Sequence, residues 1–316
     1  MQFHDGRRLS CGYRSGSQII MNIQRKIQSG GFPVAVVIVL LLQTGFLFAA
    51  QTPASRVEKE ISAQELVREM VHKEVSAQKG DQLYWRYREI DKSNGATKVY
   101  EVSETKDGNV RMLLAINGKP LTASQRQSQE SRLRKVLQNP AQARRAAKAR
   151  HKDGEKEREL LAMLPNAFNF QYDGTVGDLV RLKFVPNPDF QPPTREAQVF
   201  HHMAGQVLID PRQKRLAEMS GILTSEVKFF WGLLGHLNKG GTFHVKQVDL
   251  GSGHWRLSML KVNMHGVALF FETIGVQEDE RYENYRPNPA GMTLKQAVAQ
   301  VEKATYSANP STAAAR

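Results

Sequence analysis

The sequence predicts an α+β protein built on one curled antiparallel sheet, and three observations carry that prediction. A capped amphipathic helix opens the body at "EISAQELVREMVHKEVSAQ". A three-strand meander follows it, and seven or so further strand-like runs lie between Asn166 and Tyr285, separated by short turns such as "DPRQK", "NKGG" and "LGSGH". Sequential strands with short turns build antiparallel sheet, and about ten of them are too many for a flat one, so the sheet should curl.

The helix signal is internally consistent. Ser62 can cap and Glu65 stands at capping-box spacing, while Ile61 and Leu66 suit a hydrophobic staple. Leu66, Val67, Met70, Val71 and Val75 then make one apolar stripe at helical spacing, which should lie on the sheet. The meander reads as "DQLYWRYREID", a turn at "SNGA", "TKVYEVSETK", a turn at "DG", and "NVRMLLAING". Residues 121–164 form a helical insert that should break near Pro140 and Gly154. Downstream, "AQVFHHMAGQVLID" reads as a single strand. In "FVPNPDFQPPTREA" the four prolines end one strand and stiffen a rim loop before the next, since proline cannot donate to a ladder.

Charge is unevenly spread over the 316 residues. The formal net charge is +13, yet residues 119–158 alone hold twelve basic against four acidic side chains, while residues 159–316 nearly balance. The basicity thus belongs to an N-terminal segment and one helical block. That block contains no aromatic residue, which argues against base stacking and against a nucleic-acid partner.

The N-terminal segment carries Arg25 and Lys26, an apolar run from Phe32 to Phe48, and small residues in "FAAQTPA". This order is that of a secretory signal, and the run of about 17 residues also approaches the length of a membrane anchor. Cleaved or retained, it places the body outside the cytoplasm, in the periplasm. Met21 suffices as a start for this segment, and the one cysteine, Cys11, precedes it, so disulfide and thiolate chemistry are not expected of the body. The expected organisation is an extension with signal over 1–54, one domain over 55–286 with the insert at 121–164, a helix over 287–304 and a disordered tail over 305–316.

No catalytic constellation stands out. His201 and His202 are adjacent and so point to opposite sides of a strand, and His236, His244, His254 and His265 are scattered, so no metal site and no cofactor are expected. There is no nucleophile elbow, P-loop or dinucleotide fingerprint. The apolar stretch "FFWGLLGHL" reads either as buried strand or as an exposed docking loop; it and residues 121–158 are the two candidates for transient contact with a membrane surface.

Laid out in this order, the chain resembles the LolA/LolB superfamily of outer-membrane lipoprotein-sorting proteins. The resemblance rests on the signal segment, "ISAQELVREM", the meander and "LVRLKFVPNP…GQVLIDPRQKRLAEMSG", and covers about residues 58–285. It implies an unclosed antiparallel β-barrel with helices plugging or lidding its concave face, enclosing an apolar cavity for acyl chains. The implied activity is carriage of a lipoprotein or lipid without catalysis. Candidate cavity-lining residues are Leu182, Phe184, Val207, Ile209, Val262 and Phe271, with Phe229 and Trp231 at the cavity or its rim. The rivals are a lipid- or protein-sensing regulatory domain of the same fold and an envelope hydrolase with a site assembled from scattered residues.

Overall fold

A computed structural model describes residues 61–80, 83–93, 95–229, 235–268 and 272–304. The N-terminal segment, the tail beyond 304, Trp231 and Phe271 lie outside the described residues, as does the side chain of Phe229.

The chain is α+β, and among the described residues its framework is an antiparallel sheet of thirteen strands that does not close. Helix α1 (Ala63–Gly80) leads into β1 (Trp85–Ser93), β2 (Ala96–Thr105), β3 (Gly108–Ile116) and the two-residue β4 (Lys119–Pro120). Helices α2 (Ala123–Gln138) and α3 (Pro140–Ala167) follow, then β5 (Phe168–Val176) and β6 (Leu179–Pro186). A 3-10 segment at Glu196–His202 precedes β7 (Met203–Asp210), β8 (Arg215–Leu223), β9 (Val227–Phe229), β10 (Gly235–Leu237), β11 (Thr242–Asp249), β12 (Trp255–Ala268), β13 (Glu272–Pro287) and α4 (Leu294–Glu302). The strand order is β4-β3-β2-β1-β13-β12-β11-β8-β7-β6-β5, with β9 and β10 attached at the far end of β12. The N-terminal meander therefore joins the rest of the sheet through β1 and β13.

Local chemistry sets the element ends. Glu65 N–H donates to Ser62 Oγ at 3.1 Å, satisfying a free donor at the start of α1. Thr122 and Gln125 form a reciprocal capping box on α2, as Thr293 and Gln296 do on α4. Pro140 takes the first-turn position of α3, where its missing N–H costs nothing. Two sequence expectations differ from what forms. Gly154 does not interrupt α3, which runs 28 residues, because Leu160, Leu161 and Leu164 bury its C-terminal end and outweigh a glycine cost of about 1 kcal/mol. The stretch "AQVFHH" is a 3-10 turn, started where Ala197 N–H donates to Thr194 Oγ1 at 3.3 Å, and the strand begins only at Met203.

Two faces of the sheet are covered differently. On the inner face, α1, the end of α3 and the 187–202 segment pack over β5 to β8, β11 and β12. On the other face, Leu133 of α2 and Leu294, Ala297, Val298 and Val301 of α4 cover Val110, Met112 and Leu114 of β3. The proline-rich stretch is part of the domain core. Asn187 N–H donates to Ala167 O at 2.9 Å, and Phe190, Ala197, Val199 and Phe200 are buried against Phe168 and Phe184.

Candidate functional site

Cross-strand register defines the inner face. One row runs Leu182, Val207, Met219, Val245, Leu260, Glu280, Asp91 from β6 to β1, each residue paired with the next. A second row runs Phe184, Gly205, Gly221, Phe243, Val262, Glu278. Both rows are apolar through β12 and turn acidic on β13. The inner face therefore has an apolar half and a polar half on one continuous sheet.

The apolar half holds five of the residues singled out from sequence. Leu182, Val207 and Ile209 are fully buried, and Phe184 and Val262 are nearly so. They share one face because same-side positions in a strand recur every second residue. Phe184 and Phe243 lie across glycines of the neighbouring strands: a Cβ on Gly205 would come within 2.8 Å of the Phe184 ring, and one on Gly221 within 2.6 Å of Phe243. Those glycines let two large rings lie flat against a sheet that must curl. Phe168 meets Phe184 edge-on at 5.0 Å.

Helix α1 is the principal cover of this half, and polar contacts register it at both ends. Tyr172 OH donates to Ile61 O at 2.7 Å, and Gln64 donates to Pro165 O at 3.2 Å. At the other end Glu74 is buried among apolar residues. It accepts from Arg215 Nε at 2.7 Å, Arg215 Nη2 at 3.2 Å, the Leu216 N–H at 3.0 Å and Gln247 at 3.3 Å. A buried carboxylate with four donors is a specific anchor, because sliding α1 by one turn would strand it without partners.

The polar half belongs to β1, β2, β3 and β13. Glu89, Asp91, Glu278 and Glu280 project from the inner face beside Tyr87, Tyr100, Tyr282 and Tyr285. Arg111 pairs with Glu89, reaches Asp91 at 3.8 Å, and stacks its guanidinium over the Tyr100 ring at 3.5 Å. Tyr282 OH donates to Glu280, and Tyr285 OH donates to Leu257 O at 2.7 Å. Tyr87 lies 5.0 Å from Tyr285 and 5.9 Å from Tyr282, ring to ring.

Arg111 faces four carboxylates here, and burial disfavours the charged form of three of them. Burial pushes Glu89 up to about 8, against the opposing pull of Arg111 and with help from Glu280 and Asp91. Burial and the neighbouring Glu280 and Asp91 push Glu278 up to about 7. Burial likewise raises Glu280 and drives the Tyr282 hydroxyl well above its ordinary range. Among the described residues no group of three or more His, Cys, Asp or Glu has the geometry of a metal site. Chemically, the arrangement offers an apolar wall under a registered helix and, beside it, a proton-holding patch.

The carboxylate–tyrosine patch and Glu74 were not among the residues singled out from sequence. Both left a signal: acids two apart in "EID" and in "EDE" face one side of a strand, and Glu74 stands four residues after Met70 on an otherwise apolar stripe. The histidines find local partners instead, with His244 Nε2 2.7 Å from Glu218 and His202 Nδ1 2.7 Å from Ser225.

Comparison of the chain with family models, with curated proteins and with solved structures returned no match.

Proposed function

We propose that this chain is a non-enzymatic periplasmic carrier of the LolA/LolB type, which binds the acyl chains of a lipoprotein or lipid on the apolar half of its inner face. The observation that carries this reading is the unbroken apolar row Leu182, Val207, Met219, Val245, Leu260, covered on an unclosed sheet by helices rather than by a second sheet. Helices can move off such a wall as units without breaking strand pairing, which is what uptake and release of an acyl chain require. Each methylene moved onto the wall contributes about 0.8 kcal/mol, so a single long chain supplies ample affinity. In this reading Leu182, Phe184, Val207, Ile209 and Val262 form the wall, and no cofactor takes part.

The test is uptake of a fluorescent fatty-acyl probe by delipidated protein. Saturable uptake that falls when Val207→Asp places a charge on the wall supports the carrier. Protein that stays folded and takes up no probe of any chain length overturns it. A second reading, an envelope sensing domain of the same fold, draws on the polar half, whose Glu89 and Glu278 titrate near neutral pH. A mature N-terminus that retains residues 32–48, read by mass spectrometry, favours the sensor over a freely diffusing carrier.

A further inference from the structure

The basic block that gives the chain most of its net charge has a definite geometry. Arg144, Lys148, Lys152 and Lys156 recur every four residues along α3, and Arg145 adjoins them. All five are exposed. At 100° per residue they fall within a third of the helix circumference, and at 1.5 Å per residue Arg144 to Lys156 spans about 18 Å. The stripe points away from the body: Ala143 and Arg150, the α3 residues nearest Gly108 of the β2–β3 turn, lie on the opposite side. Among the described residues none of the five has an ion-pair partner; Glu155, on the same side, lies 3.5 Å from His151. Glu159 is the other acid facing that way.

We propose that this stripe of α3 is a docking surface for an anionic phospholipid bilayer. A straight row of cations matches a plane of headgroup phosphates, and each Lys or Arg brought to such a surface strengthens association by about 1 kcal/mol, roughly fivefold. No Phe, Tyr or Trp lies between Arg144 and Lys156, so the face offers charge without stacking surface for bases. Fourteen residues separate the apolar run 32–48 from α1, a tether of at most ~50 Å, which keeps the folded body beside whatever bilayer holds that run. The inference stands independently of the acyl-carrier reading.

Sedimentation of the full chain with vesicles tests it, using phosphatidylcholine alone and phosphatidylcholine containing about one-third phosphatidylglycerol. The apolar segment contributes to both arms, so the stripe is read in the difference between them. The expected result is stronger partition into anionic vesicles, a difference that shrinks as salt rises, and its loss by at least about 100-fold in Arg144→Gln/Lys148→Gln/Lys152→Gln/Lys156→Gln. Arg134→Gln/Lys135→Gln, on α2, leaves the difference in place. The salt titration of the unaltered protein needs no variant at all. No preference for anionic vesicles at low salt overturns the proposal. So does a preference that the fourfold variant retains, or a variant that loses only retention on duplex DNA.

Discussion

The two halves of the inner face share one sheet and one register but solve burial in opposite ways. On β6, β7, β8, β11 and β12 the row is aliphatic and aromatic, and α1 and α3 exclude water from it. On β13 and β1 the same row continues as Glu280 and Asp91, beside half-buried tyrosines. The apolar half gains stability from area removed from water; the polar half spends part of that gain to hold enclosed carboxyl groups. The contrast teaches that strand pairing sets where a side chain points and leaves its chemistry free. One wall can therefore be a packing surface at one end and a titrating surface at the other.

The largest expected effects break the apolar half. Phe184→Ala removes a buried ring that packs on Phe168 and over Gly205, and should cost about 4 kcal/mol in urea unfolding. Arg215→Met leaves Glu74 charged and enclosed under α1, and should cost about 3 kcal/mol. Adding Glu74→Leu to Arg215→Met removes the stranded charge and should return most of that loss. A double variant no more stable than the single one would show that the anchor does more than neutralise charge.

Much of the apolar half was legible in the sequence, because periodicity reports which side of an element is buried. Ser62 and Glu65 marked the start of α1, and alternation placed Leu182 and Phe184 together. The prolines of 186–193 mark the end of β6, but the segment they open is packed onto the sheet through Asn187 and Phe190, where the sequence suggests a rim loop. Less was legible where tertiary packing overrides a local preference. Gly154 marks a break in isolation, yet the buried leucines at 160, 161 and 164 carry α3 through it. "AQVFHH" has strand composition, yet the backbone turns at Thr194. The polar half was hardest to see, because Glu89 pairs with Arg111 two strands away and its charge state depends on residues nearly two hundred positions downstream.

The polar half is sharpened by pH. Glu89 shifts from an ordinary 4.5 to about 8 on folding, and Glu278 from 4.5 to about 7, so between these limits the folded state binds more protons than the unfolded one. Stability from these groups is thus complete below about pH 4.5 and is lost as pH rises through 7 and 8. Urea unfolding should lose several kcal/mol between pH 5 and pH 8. Glu89→Gln should flatten that slope, chiefly by raising stability at pH 8, because the neutral amide needs no proton. An unchanged slope would place the titrating groups elsewhere.

The smallest predicted effect isolates one hydrogen bond of the same patch. Tyr282 OH donates to Glu280 and thereby holds its carboxyl lower than burial alone would. Tyr282→Phe removes the donor without removing the ring, so the packing against Tyr87 survives. Ionised Glu280 then lacks its partner, which should cost about 1 kcal/mol where the carboxyl is ionised. The cost should shrink from pH 8 to pH 5 as the carboxyl takes up its proton, because the lost bond favours the ionised form. A loss equal at both pH values would mean that the hydroxyl matters for packing rather than for charge, and that the polar half is stabilised by the same means as the apolar one.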